Sequence, residues 1–124
     1  MGHDILVVDD ERQVRTLLRR KMEQCGHRVE EAGDGAEAID KLDESRFDLV
    51  ISDILMPEKD GLELIMHLRS HQPEIKIIAM SAPGNQLFLD SAKALGALAV
   101  FEKPFALDEM ADAVDGLLEG QPAH

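Results

Sequence analysis

With 124 residues, 44% hydrophobic and 31% charged, the chain has the composition of one globular domain able to bury a core, which excludes disorder. Asp and Glu number 25 against 13 Lys and Arg, a net charge of -12, and that charge argues against direct binding to nucleic acid or anionic membrane. The single cysteine, Cys25, excludes an intramolecular disulfide and a cysteine-based zinc site.

The first element is the run Ile5–Val8 in "ILVVDDER". Continuous apolar residues mark a strand covered on both faces, and this one runs straight into Asp9 and Asp10. Val14, Leu17, Leu18, Met22 and Cys25 then recur at helical spacing, with Gly26 as the stop. Cys25 is expected as a small core residue. A weak strand lies around Arg28–Glu31. The "GDG" of Gly33–Gly35 lacks the third glycine of a dinucleotide loop and reads as a turn and cap. The helix it opens spans Gly35–Glu44, with Asp34 and Glu37 as a capping box and Ile39 and Leu42 inward.

A third strand, Leu49–Ser52, sits in "FDLVISD". Asp60 and Glu63 repeat the capping signature ahead of Leu62, Ile65 and Leu68. His67 and His71 stand four apart on that helix, a spacing that can bind metal; without a third ligand it reads as a solvated face. Ile75–Met80 forms the fourth strand, Gln86–Leu95 a helix closed by Gly96, and Leu98–Phe101 the fifth strand. The last helix carries Leu107, Met110, Val114, Leu117 and Leu118 on one face and only acidic charge on the other. Met56 is expected in core or loop packing.

Strands alternating with helices five times indicate βαβ units, hence an α/β fold with a parallel sheet covered on both faces. One domain over 1–119 and a short tail over 120–124 are expected. No run approaches a membrane span and "MGHD" has no signal-peptide character, so a cytoplasmic protein is expected.

In such sheets the ligand site lies at the carboxyl ends of the strands. There stand Asp9 and Asp10 after the first strand, Asp53 after the third, Ser81 after the fourth and Lys103 after the fifth. Two carboxylates about 5 Å apart repel by roughly 3 kcal/mol at an effective dielectric near 20, and one lysine offsets only part of that. A hard divalent cation with oxygen ligands is the natural remedy, and Mg2+ suits few carboxylates with room for water. A carboxylate beside Mg2+ can attack phosphorus to give an acyl phosphate. Asp53, on the central strand, is the expected acceptor, with Lys103 and Ser81 on the phosphoryl oxygens. Pro57 and Gly61 shape the loop after it.

In this order, "VVDD", "DILMPEKDG", "MSA" and "FEKPF" resemble the receiver domain of two-component response regulators, over nearly the whole chain. The resemblance implies a flavodoxin-like, doubly wound five-stranded sheet in the order 2-1-3-4-5. It implies phosphorylation of Asp53 by a histidine kinase or a phosphotransfer protein. Asp10 and Asp53 would ligate Mg2+ directly with the backbone carbonyl of Leu55, and Asp9 through a water. Lys103 would pair with the phosphoryl group, and the Lys103–Pro104 bond would be cis. The effect would pass through a downstream protein target or an output domain outside this chain.

The chain also departs from the family pattern. The switch residue, usually Tyr or Phe three before the lysine, is here Val100. Phe101 is one step later and should face the other side of the sheet. Leu55 and Pro83, two after Asp53 and Ser81, offer no side chain to orient an attacking water, so a long-lived phosphoryl group is expected. Ala106 stands where a capping Ser, Thr or Asp is common. The last helix has no basic residue, so a charge-paired dimer face is not expected. Two other functions compete. A degenerate receiver serving as an interaction scaffold would have lost Asp53 or Lys103, and both are present. A Mg2+-dependent phosphohydrolase usually needs a second aspartate where Leu55 stands.

Overall fold

The computed structural model of the chain describes residues 2–56 and 61–119. In chain order the elements are β1 (Asp4–Val8), α1 (Arg12–Gln24), β2 (Arg28–Ala32), α2 (Gly35–Glu44) and β3 (Leu49–Asp53). Then come α3 (Gly61–His71), β4 (Lys76–Ser81), α4 (Gln86–Leu95), β5 (Ala99–Glu102) and α5 (Leu107–Leu118). The strands form one parallel sheet in the order β2-β1-β3-β4-β5, the expected doubly wound arrangement.

Alternate residues of the strands feed two cores, because neighbouring strand side chains point to opposite faces. Ile5, Val7, Leu49, Ile51, Ile78 and Met80 pack with Leu18 and Met22 of α1 and with Met110, Val114 and Leu118 of α5. On the other face Leu6, Val8, Val50, Ile77 and Ala79 meet α2, α3 and α4 through Leu42, Leu64, Leu68 and Leu89. Apolar burial on both sides explains why β1 and β3 read as unbroken apolar runs. Val100 and Phe101 divide as the pleat requires. Val100 joins the α2–α4 core, whereas Phe101 joins the α1–α5 core, its ring 5.5 Å from that of Phe105.

Some local expectations change. Strand ends follow the hydrogen-bonded ladder rather than apolarity, so β4 starts at Lys76 and takes in Ser81, which pairs with Glu102 of β5. Cys25 is not a core residue: it is exposed at the C-cap of α1. Leu18 and Met22 fill the buried stripe, and the chain turns away at Gly26, whose φ of 92° favours glycine. Leu17 is also on the outer side, 52% exposed. The Asp34 cap accepts from the Glu37 amide at 2.8 Å, but the Glu37 carboxylate reaches the amide of Gly33 at 2.7 Å rather than that of Asp34. Asp60 and Pro57 lie outside the described residues. The rings of His67 and His71 stack, centroids 4.2 Å apart, and His71 Nδ1 lies 2.9 Å from the His67 carbonyl oxygen. Met56 is buried in the α2–α4 core. At α5, Ala106 has extended backbone and supplies no side-chain cap.

Candidate functional site

The sheet order reverses beside β1: the chain steps outward to β2 and then crosses back to β3. Such a reversal opens a crevice beyond the carboxyl ends of the central strands. Asp9 follows β1 and is fully buried, Asp53 closes β3 with 6% exposure, and Ser81 closes β4, also buried. Asp10 is exposed, and Lys103 follows β5. All five predicted groups meet at this edge.

Lys103 organises the cluster. Its ammonium donates to Oδ2 of Asp9 at 2.7 Å and to Oδ2 of Asp53 at 2.8 Å, and reaches Oε1 of Glu11 at 3.4 Å. The peptide between Lys103 and Pro104 is cis. The Lys103 amide donates to the Ser81 carbonyl at 2.7 Å, which ties the end of β5 to that of β4. The second oxygens of the two aspartates are held by backbone: Asp9 Oδ1 accepts from the Glu11 amide at 2.8 Å, Asp53 Oδ1 from the Leu55 amide at 2.9 Å.

The electrostatics follow from burial. Desolvation raises the Asp9 carboxyl above its ordinary range, the charge of Asp53 adds to it, and the hydrogen bond and charge of Lys103 oppose it only in part. Burial alone would depress the Lys103 ammonium, but its hydrogen bonds to Asp53 and Asp9 outweigh that and raise it well above its usual value. Lys103 is therefore a fixed cation, and the carboxylates around it remain in excess.

Oxygens of Asp9, Asp10, Glu11 and Asp53 all lie within 4.8 Å of one another. Lys103 pairs with three of these four carboxylates, and the set of hard oxygens suits a hard divalent cation. Ser81 Oγ is buried and has no hydrogen-bond partner among the described residues, an uncommon condition for an interior hydroxyl. Glu11 was not singled out by its sequence position; its place directly after the two aspartates was the available signal. Gly61, at the start of α3, sits so close to the end of β3 that a Cβ there would collide with the Asp53 carbonyl oxygen and with Cα of Ile54.

Residues 5–115 match the family model described as the response regulator receiver domain. The chain belongs to that family. This receiver is 37% identical to sporulation initiation phosphotransferase F of Bacillus subtilis (strain 168), over 92% of each chain. It is 40% identical to the response regulator MprA of Mycobacterium sp. (strain KMS), over 92% of this chain but only 50% of that protein. Among solved structures it resembles the receiver domain of NtrX from Brucella abortus, with a TM-score of 0.90 and 32% identity over 95% of this chain and 100% of that one. The receiver thus spans nearly all of one relative and half of another. Among its described residues no helix is long and apolar enough to cross a membrane.

Proposed function

We propose that this receiver, a unit over 1–119 with 120–124 as a tail, accepts a phosphoryl group on Asp53 from a histidine kinase or phosphotransfer protein in the cytoplasm. The transfer depends on Mg2+, and the domain signals by binding a protein target or through an output domain. An Asp53 carboxylate oxygen attacks phosphorus, the phosphorus–nitrogen bond to the donor imidazole breaks, and its electron pair stays on the nitrogen. Asp10, Asp53 and the Leu55 carbonyl would hold the metal directly and Asp9 through a water. The metal supplies charge neutralisation at the phosphoryl oxygens. Lys103, already a permanent cation, pairs with one such oxygen, and the Ser81 hydroxyl donates to another. This is signalling chemistry rather than turnover of a free substrate.

The observation that carries this reading is the Lys103 bridge between Asp9 and Asp53. It holds a cation where the new phosphoryl charge would form, at the same sheet edge as the buried Ser81 hydroxyl. Incubation with Mg2+ and acetyl phosphate, followed by intact-mass measurement, tests it. One added phosphoryl group is expected on the wild type and none on Asp53→Asn or after chelation of the metal. If neither acetyl phosphate nor a phosphohistidine donor adds mass, the scaffold reading takes its place.

A further inference from the structure

Arg15 lies one turn into α1, away from the carboxylate edge, yet its guanidinium turns back to the end of β1. Nη1 donates to the backbone carbonyl of Asp9 at 2.7 Å, and Nε donates to Oε1 of Glu31 on β2 at 3.1 Å. Its side chain is only 18% exposed. The amide of Asp9 donates to the carbonyl of Ala32, also on β2, at 3.1 Å. The Asp9 residue is therefore held at its amide by β2 directly and at its carbonyl by β2 through Arg15.

That placement matters because Asp9 and Asp10 are the two carboxylates that the strand pushes together with Asp53. Their repulsion acts to open the turn between β1 and α1. A carbonyl beyond a strand end has no ladder partner to resist this, and Arg15 supplies one. Glu31 also accepts from Nη1 of Arg19 at 3.1 Å. Burial pushes the Glu31 carboxyl up, but the bonds from Arg19 and Arg15 outweigh it and hold it below its ordinary range. Arg15 is thus matched by a firmly ionised partner. It fixes geometry without placing an uncompensated cation beside a cation site.

We infer that Arg15 is a positioning residue that sets the Asp9–Asp10 turn for divalent-cation binding. This inference rests on the metal reading given above. Groups that orient metal ligands through hydrogen bonds are worth about tenfold or more in metal affinity, and that is the size of effect expected.

The test is calorimetric titration of Mg2+ into the full unphosphorylated chain, with thermal melting of the metal-free protein alongside. Arg15→Ala should weaken Mg2+ binding by about tenfold. Arg19→Ala, which disturbs the same Glu31 network without touching Asp9, should melt lower but bind Mg2+ as the wild type does. Glu31→Gln, which leaves Arg15 an acceptor but removes its matching charge, should lose less affinity than Arg15→Ala does. Wild-type affinity in Arg15→Ala, or an equal loss in Arg19→Ala, would overturn the inference while leaving the metal site standing. Absence of saturable Mg2+ binding by the wild type would overturn both.

Discussion

Lys103 Nζ lies 2.7 Å from a carboxylate oxygen of Asp9, a residue with no solvent exposure. The lysine itself keeps 15% exposure and holds Asp53 at 2.8 Å with the same ammonium. Removing that ammonium leaves two neighbouring carboxylates without their shared cation, and an uncompensated buried charge is costly. Lys103→Met should lower stability at pH 7 by about 3 kcal/mol, read by urea unfolding without divalent ions. Saturating Mg2+ should restore part of the loss, since a cation bound only by the folded state stabilises it.

The raised Asp9 carboxyl has a consequence of opposite sign. A carboxyl raised on folding keeps its proton longer in the native state than in the unfolded chain. Stability then falls as pH rises through the unfolded value toward the folded one, and stays lowered at neutral pH. Asp9→Asn should raise the melting temperature of the metal-free protein at pH 7. The gain should shrink below about pH 4, where the unfolded carboxyl is also protonated. Lys103 shows the complementary pattern: its contribution is complete below its ordinary value and is lost only as pH rises through its elevated folded value. A wild-type melting curve more stable than Asp9→Asn at pH 7 would contradict the carboxyl half of this account.

With Asp53 as the proposed phosphoacceptor, the lifetime of the phosphorylated state should be open to shortening by design. Leu55 and Pro83 are both exposed, and neither side chain can hydrogen-bond a water. Placing Asn at 55 and Glu at 83 should speed phosphoryl loss from Asp53 by about tenfold, because orienting the attacking water lowers the entropic part of the barrier. Time-resolved intact-mass measurement after removal of the phosphodonor gives the rate directly. An unchanged rate in the double variant would show that something other than these two positions limits hydrolysis.

Ala106 offers a plain stability gain. It has φ of -76° and ψ of 133° and makes no side-chain bond to the helix it precedes. That backbone suits a capping hydroxyl. Ala106→Ser should stabilise the protein by about 1 kcal/mol, a rise of several degrees in melting temperature.

Gly61 should respond the other way. A methyl group there would meet the backbone of Asp53 and Ile54, and backbone cannot swing aside as a long side chain can. Gly61→Ala should cost about 1–3 kcal/mol and displace the end of β3. Calorimetric melting reads the cost, and phosphorylation rate reads the displacement.

How far the sequence disclosed all this depends on the kind of force involved. Asp9, Asp53 and Lys103 were legible because apolar strand runs end at or beside them, and strand ends are where a parallel sheet presents its chemistry. Val100 and Phe101 were legible as a pair because the pleat alone separates them. Arg15 was not, since its target is a backbone carbonyl, and no pattern of side chains shows where a carbonyl beyond a strand end points. Glu11 was harder to read because it stands past the end of β1, at the N-cap of α1, where no apolar run points to it, and the fold alone brings it within 3.4 Å of Lys103. Cys25 was misplaced because periodicity extrapolates a helix past its last turn, whereas the turn at Gly26 had already carried the chain away from the core.

The strand order gives the site a fixed part and an adjustable part. β1, β3 and β4 are each paired on both sides, so Asp9, Asp53 and Ser81 end strands that cannot slide without breaking two ladders. Lys103 instead follows β5, a four-residue strand at the rim with one neighbour, and its ammonium rides on a flexible four-carbon stem. The anionic side of the crevice behaves as the frame of a lock and the lysine as its latch: under the phosphorylation of Asp53 proposed above, the cation would have the freedom to re-seat, and the carboxylates would not.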